Sequence, residues 1–261
     1  KKYYIVEISA HLRAIQQQTI AEFCGARAEQ VAWISLDEFI NLNFSGVVLA
    51  NEVLDAMPVT CFSIRDNIIY ERVVTLQNKQ LHWRHVAANT GIAAVVAPLV
   101  QDKNYQAYDS EINLQIKPWL EAISAAIQRG VVLTIDYGFP AAEYYHEQRS
   151  MGTLMCHYQH KNHADPFINI GCQDITAHVD FTAVADLALD VGFKTLGYSN
   201  QAAFLLSLGL LEFPETVQSF REVNVLTSAA EMGELFKVIA LGKNYDFALQ
   251  GFKLANDSYR L

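Results

Sequence analysis

The chain opens on a short apolar run, Tyr3-Tyr4-Ile5-Val6, closed by the acid Glu7. Ser9 stands where a helix N-cap belongs, and Leu12, Ile15, Ile20 and Phe23 supply the apolar face of the helix that follows. Val31 to Ile34 predicts a second strand, a short acidic helix starts near Asp37, and Gly46 to Ala50 reads as a strand buried on both faces. Strands alternating with helices, without polar alternation inside the strands, predict a parallel α/β sheet covered on both sides.

The pattern then changes. Val59 to Ile64, Ile68 to Leu76 and Gln80 to Val86 read as three strands, with Asp66-Asn67 and Asn78-Lys79 as the turns. Residues 59–86 therefore predict an antiparallel meander inserted into the parallel sheet or appended to it. Helical character returns from Gly91 and again from about Glu111 to Gln128. Gly130 to Gly138 is the clearest buried strand, and it ends in Asp136-Tyr137-Gly138, where open α/β sheets bind ligands. Residues 139–180 are polar and irregular, which predicts a lid or substrate loop. A helix over Phe181–Leu189, a strand over Phe193–Gly197, a helix over Gln201–Leu211 and a strand over Leu235–Leu241 complete the chain. No linker divides it, so residues 1–261 read as a single domain.

Composition narrows the function classes. The net charge of −9 argues against a surface built to hold nucleic-acid phosphates, and suits a cationic ligand or basic protein. The longest apolar stretch, Gly91 to Val100, is far shorter than the roughly 20 residues that span a bilayer. Cys24, Cys61, Cys156 and Cys172 are scattered and form no C-x-x-C pair, which suits a reducing compartment. His157, His160 and His163 are evenly spaced, but the spacing matches no zinc motif, so no metal is expected.

Several blocks of the sequence stand together. They are Tyr4-Ile5-Val6-Glu7-Ile8-Ser9 with Leu12-Arg13 and Gln16, and Ala50-Asn51-Glu52-Val53-Leu54-Asp55-Ala56-Met57-Pro58-Val59. A third set runs from Ile135-Asp136-Tyr137-Gly138 through Gly152-Thr153-Leu154 to Asp174-Ile175-Thr176-Ala177-His178-Val179-Asp180-Phe181, with Gly233 to Val238 after it. These blocks resemble the MidA family, which includes the mitochondrial methyltransferase needed for respiratory complex I assembly. The resemblance implies a class I methyltransferase (Rossmann-like) sheet, S-adenosyl-L-methionine as cofactor and methylation of an arginine on a protein such as a respiratory complex I subunit. It also implies a cytoplasmic location in a bacterium, or the mitochondrial matrix in a eukaryote. The family carries a glycine-rich loop upstream of the YIVE block, and none of the 13 glycines here forms G-x-G. The expectation is that this strand and loop precede Lys1, which would leave two unpaired inner strand edges and a chain inactive alone.

The resemblance assigns roles to particular residues. Glu7 ends a strand where a carboxylate can accept both ribose hydroxyls, the alternative being an acid favoured by a helix N-terminus. Ser35, Leu36 and Asp37 end the next strand, beside the adenine, and Asn51 meets the methionine end of the cofactor. Glu52 and Asp55 are three apart, so on a helical turn they would share a face and grip a guanidinium; helix capping is the competing account. Asp136 and Tyr137 face the same crevice, with burial as the alternative for Tyr137. His178 lies between Asp174 and Asp180, where a histidine positioned by a carboxylate could take a proton or fix a loop. Two rival readings are a catalytically silent assembly or binding factor on the same fold and a nicotinamide-dependent oxidoreductase.

Overall fold

Strand β1 (Tyr3–Val6) leads into helix α1 (Ala10–Cys24), whose N-cap Ser9 accepts the Leu12 N–H. Strand β2 (Val31–Ile34) pairs in parallel with β1, Tyr3 opposite Val31 and Val6 opposite Ile34. Helix α2 (Leu36–Ile40) begins on a capping box in which Ser35 and Glu38 exchange side-chain and backbone hydrogen bonds. Strand β3 (Phe44–Asn51) follows. These residues belong to a computed structural model that describes residues 2–101, 103, 105–159, 161–212 and 217–261.

The meander is present, with one strand more than the sequence predicts. Strands β4 (Thr60–Arg65), β5 (Ile68–Gln77) and β6 (Gln80–Ala87) pair antiparallel. Both turns have two successive left-handed residues, φ 50° and 62° at Asp66-Asn67 and 51° and 64° at Asn78-Lys79, matching the right-handed twist of the strands. After helix α3 (Thr90–Val100), strand β7 (Ala107–Ile112) pairs with β4 and completes the order β6-β5-β4-β7. The helix expected from Glu111 thus starts later, as α4 (Ile116–Ala126), because Glu111 itself belongs to β7.

Strand β8 (Ile127–Phe139) is the axis of the main sheet. Residues 139–180 are less irregular than predicted. They contain α5 (Ala141–Tyr144) and a small antiparallel sheet of β9 (Met155–Tyr158), β10 (Lys161–His163) and β11 (Asp174–Thr176). Strand β12 (Val179–Asp180) then joins β8 in parallel, and α6 (Phe181–Asp190) starts on the Asp180 cap. Strand β13 (Lys194–Asn200) leads into α7 (Gln201–Ser207), shorter than the helix expected to reach Leu211, and β14 (Phe236–Lys243) closes the sheet.

In that sheet β3 and β12 lie along one edge of β8, parallel to it, while β14 pairs antiparallel on the other side and β13 lies beyond it. One face packs on α4 and α6 through Leu120, Ile123, Val132, Phe181, Val184 and Ile239. The other packs on α7 and the turn at Gln250–Phe252 through Val131, Phe204, Val238 and Phe252. Helix α7 reaches β13 and β14 but leaves part of β3 open, so Val47 and Leu49 are 68% and 59% exposed. This corrects the expectation that both faces of β3 are buried. Among the described residues β3 pairs only with β8, and β1–β2 form a separate two-stranded sheet.

Candidate functional site

Parallel strands β3 and β8 end side by side, and the chain leaves β3 through the turn at residues 52–57. Asp136, near the end of β8, is fully buried and clamps that turn. Its Oδ2 accepts the N–H groups of Leu54 (3.0 Å) and Asp55 (3.3 Å), and its Oδ1 accepts the N–H of Tyr137 (3.0 Å). Asn113 donates to the Leu54 carbonyl (3.1 Å), and the Ala177 N–H donates to the Asp55 carbonyl (3.1 Å). Burial, and then the neighbouring Asp55 carboxylate, push the Asp136 carboxyl up to about 7.

So held, Asp55 is 5% exposed and sits under Tyr137. The Tyr137 phenol donates to Asp55 Oδ2, while Oδ1 is buried with no partner among the described residues. A buried carboxylate oxygen without a donor is costly and therefore informative. Glu52 behaves differently. It adopts a left-handed backbone (φ 49°), is exposed, and accepts from the Asn51 amide (3.2 Å). The turn is not helical, so Glu52 and Asp55 do not share a face, contrary to the spacing argument.

His178 completes the cluster. Its ring lies edge-on to Tyr137 (5.2 Å between centroids) and tilted against Phe139 (5.3 Å). Burial, aided by the positive Arg149, pushes the imidazole down to about 4, so it is neutral near pH 7. Nδ1 is buried without a partner among the described residues. No carboxylate hydrogen-bonds the ring among the described residues: Asp180 accepts the Ala183 N–H (3.1 Å) and caps α6, and Asp174 is an exposed residue of β11. The histidine is fixed through its backbone instead. Its N–H donates to Thr153 Oγ1 (2.9 Å), and Thr153 in turn donates through Oγ1 (2.5 Å) and N (2.8 Å) to the buried Glu111, which also accepts from Tyr144 (2.8 Å). Glu111 and Tyr144 escape sequence reasoning, whereas Thr153 stands in the quoted Gly152-Thr153-Leu154 block without a role.

The residues expected at the cofactor lie mostly just beyond the ends of β1 and β2. Glu7 accepts the Ser9 N–H (2.8 Å) and the Gln16 amide (3.0 Å), and Gln16 accepts the Trp33 indole N–H (2.9 Å). Ser35 is engaged in its capping box, while Leu36 and Asp37 are exposed in the first turn of α2. Asn51 is exposed at the end of β3. The structure thus brings Asp55, Asp136, Tyr137 and His178 together. Among the described residues no three His, Cys, Asp or Glu side chains are grouped to hold a metal; His160 lies outside those residues. No helix among them is long and apolar enough to cross a membrane.

Residues 1–199 match the profile of the family described as "Putative S-adenosyl-L-methionine-dependent methyltransferase". The chain belongs to this family. The MidA resemblance read from the sequence agrees with it. The chain is 27% identical over 237 residues to the mitochondrial protein arginine methyltransferase NDUFAF7 homolog of Drosophila melanogaster, covering 83% of this chain and 51% of that protein. It therefore spans about half the length of that curated relative. Two solved structures from Burkholderia thailandensis superpose over the whole of this family member with a TM-score of 0.91. One is a native structure, 38% identical, of which 71% is covered; the other, 39% identical and 68% covered, is bound to S-adenosyl-homocysteine. The α/β fold with mixed sheets is thus shared with structures of the same family.

Proposed function

We propose that the protein transfers a methyl group from S-adenosyl-L-methionine to an arginine of a partner protein, on a class I (Rossmann-like) sheet. The observation that carries this reading is Asp55: one carboxylate oxygen is held by Tyr137 and the other is buried with no partner among the described residues, at the ends of two parallel strands. A guanidinium keeps its charge in water and offers planar N–H donors, so a pre-oriented carboxylate is its natural acceptor. The arginine methyltransferase among the relatives and the S-adenosyl-homocysteine complex of a solved neighbour support the same chemistry. A respiratory complex I subunit is the partner class that follows from the family resemblance.

The cofactor, when bound, supplies an electrophilic methyl group on a sulfonium. The residues present fit it: Glu7 is a half-buried carboxylate at a parallel strand end, with lone pairs left for ribose hydroxyls, and Asn51 offers an exposed amide. Ser35, Leu36 and Asp37 would flank the adenine. Asp55 orients the guanidinium and favours its charge as it redistributes, and alignment supplies much of the rate. Asp136 fixes the turn, Tyr137 sets the Asp55 rotamer, and exposed Glu52 lies at the entrance. The neutral His178 can accept the proton released by the methylated nitrogen. Residues 139–180 act as a lid.

Calorimetric titration of S-adenosyl-homocysteine into the full-length protein tests this. Wild type should bind it, and Glu7→Ala should weaken binding at least about tenfold, as loss of a charged hydrogen-bond acceptor does. No binding to wild type would overturn the reading.

A further inference from the structure

An apolar groove of about 440 Å³ runs between the meander and the segment that ends at His178. Met57, Phe167, Ile175, and Leu81 and Trp83 of β6 line it. The wall is braced: Phe167 packs on Trp83 (5.3 Å between ring centroids), and the Arg72 guanidinium sits over the Trp83 ring at 4.5 Å. Among these apolar walls stands one polar side chain. Thr176 lines the groove and is 9% exposed, and its buried hydroxyl interacts with the Tyr137 phenol, the group that donates to Asp55.

The groove borders the Asp55 cluster. Met57 is two residues beyond Asp55, and Thr176 is two residues before His178. Ala177, which also lines the groove, donates to the Asp55 carbonyl. Two residues of extended chain reach about 7 Å, so a polypeptide whose arginine meets Asp55 can lay a nearby side chain in the groove.

We propose that this groove is a specificity subsite for the protein substrate. It receives a bulky aliphatic or aromatic side chain within three residues of the methylated arginine. This inference rests on the arginine methyltransferase reading. Side-chain pockets give peptide recognition its selectivity elsewhere in the same way. Burial of one large apolar side chain corresponds to a preference on the order of 10- to 100-fold.

The test uses the full-length protein saturated with S-adenosyl-homocysteine and fluorescein-labelled glycine-rich peptides. Each peptide carries one arginine, with a leucine at one of the three positions on either side, and an all-glycine peptide serves as reference. Fluorescence anisotropy should show at least one leucine register binding about tenfold or more tightly than the reference. Trp83→Ala and Leu81→Ala should each cut that advantage to below about threefold, with S-adenosyl-homocysteine affinity unchanged. Leucine peptides that bind no better than the reference, or an advantage that survives both groove variants, would overturn the subsite and leave the methyltransferase reading standing. Failure of wild type to bind S-adenosyl-homocysteine would overturn that reading and the subsite with it.

Discussion

The phenol of Tyr137 donates to Asp55 Oδ2 across 82 residues of sequence and leaves Oδ1 of the same carboxylate with no donor among the described residues. Removing the phenolic oxygen should therefore free the Asp55 rotamer without touching the cofactor residues. Tyr137→Phe is expected to lower kcat/KM on the order of 10- to 100-fold, and Asp55→Asn on the order of 100-fold or more. Both should leave S-adenosyl-homocysteine affinity within about twofold by calorimetry. A Tyr137→Phe enzyme with wild-type kcat/KM would show that the phenol only fills space.

Asp136 ties stability to pH. Its folded carboxyl is pushed up to about 7 from the ordinary 3.8, so between these values the folded chain binds a proton that the unfolded chain has released. The stability from this group is full below about pH 4 and is lost as pH rises towards 7. Asp180, raised to about 6, acts in the same direction. Asp136→Asn should flatten the wild-type slope over this window, so urea unfolding at pH 5 and pH 8 should show a larger penalty for the variant at pH 5. Equal penalties at both pH values would refute the buried-carboxyl account.

His178 works in the opposite direction. Its pKa is depressed from 6.5 to about 4, so its contribution is full above pH 6.5 and is lost as pH falls towards 4. The Cε1 proton resonance of His178 should show no titration midpoint between pH 5.5 and 8. A midpoint near 6.5 would mean that the ring is solvated and not packed between Tyr137 and Phe139.

Thr153 connects the buried Glu111 to the backbone of His178. Thr153→Val keeps the shape but leaves the His178 N–H without its partner and removes one of the three hydrogen bonds to Glu111 Oε1, a loss of about 1–3 kcal/mol. Thr153→Ser keeps the hydroxyl and should recover most of it. Chemical denaturation of the two variants distinguishes the relay from simple packing, since packing alone would rank valine above serine.

The sequence makes the framework legible where a single local rule decides. Asp66-Asn67 and Asn78-Lys79 can both take positive φ, and both hairpins form there. The apolar run before Asp136 and Tyr137 is the axis of the sheet, and those residues stand at the site. Strand β7 is invisible locally because its Asp109 and Glu111 look solvent-exposed. Their partners, Ser63 and Arg65 for one, Thr153 and Tyr144 for the other, come from distant segments. The small sheet β9-β10-β11 is too short and polar to show a period of two. Spacing misled at Glu52 and Asp55, because the left-handed backbone at Glu52 turns the chain before a helical face can form.

The unpaired edge of β3 governs how this stretch of chain behaves as a solute. Among the described residues its outward N–H and C=O groups pair with no strand, and Val47 and Leu49 lie exposed beside them, so a second copy of the chain can add a strand there. A net charge of −9 is the repulsion that opposes this in solution. The size of the dissolved particle should therefore depend on concentration and salt: solitary when dilute at low ionic strength, and growing as added ions screen the charge.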